Sequence, residues 1–189
     1  GRSKAKYEQV YADSEVRVLE NTAAFPRAFL VGRAVTSPTL GSALGQMVHQ
    51  PFDPRSEVML AADTDAAAAA SVANNDPASS EPPGSVQIQS YSANEVRMHV
   101  SASRNALLVL SDTYYPGWSA SVDGQPQPVF RGNVLFRVVA IPAGEHEVDM
   151  RFEPASVKIG LVVSAAAVLL TLAALVLAGR IRKPGRTTE

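Results

Sequence analysis

The sequence predicts a mainly β protein: an antiparallel, jelly-roll-like β-sandwich with one short helix, placed outside the cytoplasm and followed by one C-terminal transmembrane helix. Three observations predict it. Short segments of alternating apolar and polar residues, separated by turn residues, fill the chain from Val86 to Phe152, as in antiparallel sandwiches. The period turns helical between Thr39 and Gln50. Ile159 to Ala178 is a run of 20 residues without a charge, long enough at about 1.5 Å per residue to cross a hydrocarbon core of roughly 30 Å. Residues 1–60 then hold the first strands and the short helix, 61–85 a loop, 86–157 the sandwich core, 158–179 the span and 180–189 a basic tail.

Taken in order, Glu15–Glu20 alternates like a half-buried strand, and Arg27–Val35 carries another apolar run after Pro26. Leu40, Leu44, Met47 and Val48 fall at i, i+4, i+7 and i+8, with Ser37 or Thr39 available as cap and Pro51 as stop. Glu57–Leu60 returns as a strand. The 61–85 stretch is Ala-rich, then Pro/Ser/Asn-rich, without apolar periodicity, and reads as a surface loop or linker. Val86 and Ile88 alternate with glutamines, and Val96, Met98 and Val100 alternate with Glu95, Arg97 and His99. Leu107–Leu110 is continuously apolar, suited to a strand buried on both faces. Asp123-Gly124 signals a two-residue hairpin between Trp118–Val122 and Gln127–Phe130. Pro142-Ala143-Gly144 separates Leu135–Ile141 from Glu147–Phe152.

Eleven of the 20 residues in the span are Leu, Ile or Val, which favours insertion by about 3 to 6 kcal/mol. Arg180, Arg182, Lys183 and Arg186 follow it, so the positive-inside rule puts the C-terminus in the cytoplasm and residues 1–157 outside. The chain opens on Gly1-Arg2-Ser3-Lys4 with neither an initiator Met nor an apolar export segment. It is therefore expected to be the C-terminal piece of a longer membrane protein, with upstream transmembrane helices of the same polypeptide as partners. One helix face agrees: Gly160, Ser164, Ala167, Thr171, Ala174 and Ala178 are all small, and small stripes let helices approach closely in membranes.

Composition narrows the chemistry. A net charge of -1 gives no general attraction for nucleic acid. The absence of cysteine removes thiolate metal sites, thiol catalysis and disulfides. There is no nucleophile elbow, phosphate loop, dinucleotide fingerprint or zinc-protease motif. His49, His99 and His146 lie far apart and point to no metal site. Glu145, Glu147 and Asp149 alternate along one strand face beside Arg151, either a cation or acid/base patch or a solvated sheet face. No catalytic, cofactor-binding or metal-binding residue is expected.

The densest functional candidate is the run from Ser111 to Trp118, SDTYYPGW. Tyr114, Tyr115 and Trp118 could form a platform on which a sugar ring stacks, with Asp112 and Arg131 binding its hydroxyls. The structural alternative is a Pro116-Gly117 corner with Trp118 packed between sheets and the tyrosines anchoring an edge.

These same residues carry a resemblance. Leu110 to Trp118, then Val122-Asp123-Gly124, Phe130-Arg131-Gly132-Asn133, Phe136-Arg137, Pro142 to His146 and Phe152-Glu153-Pro154 closely resemble the C-terminal part of the bacterial YfhO family of membrane proteins. Val18 to Asn21 and Phe25 to Val31 look like the start of that domain, so the resemblance covers roughly residues 15–180 apart from the 61–85 loop. It implies a long polytopic protein similar to the GT-C class of glycosyltransferases, which use polyprenyl-phosphate-linked sugars to modify cell-envelope polymers. The catalytic acid of that class lies in an early outer loop, so none is carried onto this chain. The expected function is a non-catalytic accessory domain and last transmembrane helix of such an enzyme, with cell-envelope glycan as a partner. The alternatives are a membrane-anchored carbohydrate-binding or sensor module and a purely structural domain.

Overall fold

The computed structural model describes residues 6–61, 70 and 82–181. Its described elements are mainly β, with a short helix after the fourth strand and a long C-terminal helix, as the sequence predicts. The 61–85 loop lies outside the described residues except for Ala61, Ala70 and residues 82–85, and so does the basic tail from Arg182 onward.

A five-stranded antiparallel sheet runs in the order β10 (Gln125–Gln127), β9 (Trp118–Val122), β13 (Gly144–Phe152), β7 (Glu95–Ala102), β6 (Gly84–Tyr91). A six-stranded sheet runs β3 (Ala28–Val31), β8 (Ala106–Thr113), β12 (Phe136–Ile141), β11 (Phe130–Gly132), β5 (Glu57–Ala61), β4 (Arg33–Ser37). The edge strands β3 and β4 are joined through Gly32 alone, so this sheet must curl round on itself. Its concave side encloses Val31, Val58, Leu60, Leu107, Val109, Phe130 and Val138. Its outer side packs on the five-stranded sheet through Leu30, Leu108, Leu110, Val139 and Ile141 against Val96, Met98, Val100, Val148 and Met150. Leu107–Leu110 thus faces a core on each side, which is why that run is continuously apolar.

Gly132 sits in the curled sheet where a Cβ would overlap Val138 and Val58, so only glycine fits without displacing both. The β9–β10 turn places Asp123 and Gly124 at φ 51° and 76°, the two left-handed residues that a tight hairpin requires.

Four readings need correction. The strand read at Glu15–Glu20 is β2 (Arg17–Asn21), but it is exposed throughout and pairs with an equally exposed β1 (Tyr7–Ala12); alternation had implied a buried face that neither strand has. Gln127–Phe130 is not one strand. β10 ends at Gln127 and β11 begins at Phe130 in the other sheet, because Pro128 has no N–H with which to continue the ladder. The sandwich contains one parallel pair, β4–β5, made possible by the crossover through α1 (Leu40–His49). Finally, α1 has the Thr39 cap, reciprocated by Ser42, yet it buries Ala43 and leaves Leu44 and Val48 exposed. Leu40 and Met47, on the same face as Ala43, are half-buried.

Helix α2 (Ala155–Ile181) leaves the end of β13. Over Ala155–Gly179 it is long and apolar enough to cross a membrane, and none of it is buried against the rest of the chain. Gly160, Ser164, Ala167, Thr171, Ala174 and Ala178 all lie on it, facing no other described residue of the protein. Thr171 turns its hydroxyl back to the Ala167 carbonyl at 2.8 Å, which satisfies that polar group inside the helix.

Candidate functional site

β8 and β13 run toward the helix, while β7, β9 and β12 run away from it. The sandwich therefore has a helix end, from which α2 departs, and a far end. Asp112, Tyr114, Tyr115, Trp118 and Arg131 all come to the helix end, at the C-terminus of β8, the start of β9 and the last rungs of β11.

They do not form one flat platform. Asp112, 10% exposed at its side chain, accepts a 2.8 Å hydrogen bond from the Tyr91 hydroxyl and faces Arg27 at 3.8 Å and Arg137 at 3.7 Å. Arg137 is 7% exposed, donates from Nε to the Thr113 carbonyl at 3.1 Å and lies 3.5 Å over the Trp118 ring. Trp118 also packs on Phe152, ring centroids 5.5 Å apart. Arg131 lies 4.7 Å over the Tyr114 ring instead of reaching toward Asp112. Tyr115 touches Phe152 edge-on and stands 62% exposed. Asp112 and Trp118 are thus held inside a charged and aromatic network, and Tyr115 is the member that faces outward.

Electrostatics follow from these contacts. The hydrogen bond to Asp112 raises the Tyr91 pKa above its usual value, because ionised tyrosine would lose that bond and repel the carboxylate. Burial pulls the Arg137 pKa down, opposed by the nearby Asp112 charge.

Arg137, Tyr91 and Arg27 are the site residues that sequence reading missed. For Arg137 there was a signal: in Phe136–Ile141 it shares its face with Val139 and Ile141, so alternation assigns a guanidinium to a core position. Such a group is retained only with partners.

The carboxylate row of β13 belongs to the outer face of the five-stranded sheet. There Arg97 and Arg151 pair with Glu95, Arg97 also pairs with Asp149, and His99 meets Glu145 and Glu147 at 2.9 Å from its two ring nitrogens. Only an imidazolium donates to both, and the bond to Glu147 raises the His99 pKa. At the far end, His146 pairs with Asp123 at 2.7 Å and holds its pKa below the ordinary range. Among the described residues no group of three or more His, Asp or Glu side chains is placed to hold a metal ion. Two apolar grooves of about 420 and 440 Å³ flank Phe25 and Phe29, and none of the five candidates lines either.

The family model of a bacterial membrane protein, YfhO, matches residues 80–164. The similarity to YfhO spans 85 of the 189 residues, less than half of the chain. The match begins just before β6, takes in every strand of the five-stranded sheet together with β8, β11 and β12, and continues ten residues into α2. It is narrower than the 15–180 resemblance, leaving out β1 to β5 and α1. The helix-end network falls inside the YfhO region except for Arg27. The family matched is one of bacterial membrane proteins, and α2 is long and apolar enough to cross a membrane. No curated protein matches the chain, and neither does any solved structure.

Proposed function

We propose that this chain is the extracytoplasmic accessory module and last transmembrane helix of a YfhO-like membrane glycosyltransferase, one that moves sugar from a polyprenyl-phosphate donor to a cell-envelope polymer. The observation that carries this reading is the position of the family's aromatic and arginine-rich motif. It lies at the end of the sandwich joined to α2, the height at which a lipid-linked sugar presents its head group. The module supplies no acid, base or nucleophile of its own and shapes the surface over which donor or acceptor passes. The extracytoplasmic side is supported by the basic residues that follow the span, through the positive-inside rule.

Purified chain in lipid nanodiscs, given a polyprenyl-phosphate sugar and envelope glycan, is expected to transfer no sugar, while membranes containing the polytopic parent do. Turnover by the chain alone would overturn the accessory role. A membrane-anchored glycan-binding module is the second reading, favoured by the outward-facing Tyr115 ring. It requires saturable glycan binding by the chain itself that Tyr115→Ala abolishes with folding intact.

A further inference from the structure

Between residues 82 and 152 three large apolar or aromatic side chains are exposed among the described residues: Tyr91, Tyr115 and Leu135. All three belong to the helix end. Leu135 tips the β11–β12 hairpin, where its carbonyl accepts from the Tyr114 N–H at 2.6 Å, so its backbone adjoins the loop that presents Tyr115 and Pro116. That loop is bonded to the root of the helix: the Glu153 N–H donates to the Gly117 carbonyl at 2.8 Å, and Gly117 lies so close to Phe152 and Pro154 that a Cβ would be 3.0 Å from each. Val134, a β-branched residue, is held at φ 70° to make the hairpin tip, a conformation such residues rarely adopt.

We infer that this end of the sandwich seats in the phospholipid head-group layer, with Tyr115 and Leu135 as its apolar contacts. This rests on α2 spanning the membrane. The 25 residues of Ala155–Gly179 measure about 37 Å at about 1.5 Å each. Centred on a core of roughly 30 Å, the helix starts inside the head-group layer of about 5–8 Å, and the loop bonded to its root lies at the same level. Tyrosine rings favour that depth, with the ring among acyl carbons and the hydroxyl in water. Arg27 on Tyr91 and Lys158 on Glu153 are exposed cations at the same level, suited to lipid phosphates. Among the described residues, the far-end turns between β7 and β8, β9 and β10, and β12 and β13 present Asn105, Asp123, Gly124 and Ala143 instead.

The chain has one tryptophan and no cysteine, so single reporters can be placed cleanly. In a Trp118→Phe background, Tyr115→Trp, Leu135→Trp, Gln125→Trp at the far end and Leu169→Trp within the span are reconstituted as the full chain in phosphatidylcholine/phosphatidylglycerol vesicles. The lipids are brominated at shallow or deep acyl positions. Tryptophan at 115 and 135 is expected to lose most emission to shallow bromine, that at 169 to deep bromine, and that at 125 to neither. If 169 is quenched while 115 and 135 behave like 125, the seating is overturned and the span stands. If 169 is not quenched by deep bromine, the span itself fails. Leu135→Cys, labelled with a nitroxide in a chain that keeps Trp118, repeats the test: more contact with dissolved oxygen than with an aqueous nickel chelate is expected, and the reverse overturns the seating.

Discussion

The two ends of the sandwich are built from opposite materials. At the far end, the tight turns are closed by polar side chains on backbone: Asp123 accepts from the Glu147 N–H and Asn105 from the Ala143 N–H. At the helix end, the connections are held by a buried arginine, stacked rings and an aspartate ringed by donors, while apolar residues stand outside. Water satisfies the first kind of turn without help from anything else. The second kind exposes what a soluble surface normally hides, which places the specialised surface of this domain beside its helix.

The sharpest test of that contrast is to remove the pieces that hold the helix end together. Trp118→Ala and Arg137→Met are each expected to cost about 3 kcal/mol, the first by opening a gap under Phe152 and the second by leaving Asp112 with fewer cations. A domain of this size should then melt on the order of 10 °C lower in a calorimetric scan. Asp123→Asn at the far end should shift the same scan much less; equal losses would break the comparison. Gly132→Ala, which crowds the interior of the curled sheet, is expected to cost about 2 kcal/mol.

The ends should also yield at opposite extremes of pH. Tyr91 has its pKa raised in the folded protein, so its contribution is complete below the usual value of 10.0 and is lost as pH climbs through the raised one. Trp118 lies in the same network through Arg137, so its emission should change in that alkaline range and not in Tyr91→Phe. Asp123 has its pKa lowered by His146, so its contribution is complete above the usual 3.8 and is lost as pH falls through the lowered value. Amide exchange in the β9–β10 turn should rise there first. The smallest effect is expected at Tyr115→Ala, with its melting point nearly unchanged because the ring is mostly outside the fold.

What the sequence disclosed, and what it hid, divides along a physical line. Period-two alternation identified β6 and β7, a continuous apolar run identified β8, and turn residues marked off β9, β12 and β13, because each of these strands packs apolar side chains on a core. The alternation rule misread the β2 region, where Val16 and Val18 alternate with Glu15 and Arg17 without being covered. Local turn chemistry identified Asp123-Gly124 but could not show that the chain changes sheets after Gln127, since sheet membership is decided by distant partners such as Leu60 opposite Gly132. The gathering of Asp112, Tyr114, Tyr115 and Trp118 was legible because they are neighbours in the chain. Their partners Tyr91, Arg27 and Arg137 were not, because each arrives from a different strand or loop.

One consequence of the topology is mechanical. β13, which continues into α2, is not an edge strand; it is gripped by β7 along eight registered residues and by β9 along five. A pull on the helix, from lateral drag in the bilayer or from moving neighbours, would load those rungs in shear, all at once, with no edge from which to peel them in turn. The helix would carry the sandwich as a rigid outrigger, so that tilting of the span becomes a sideways sweep of the far turns.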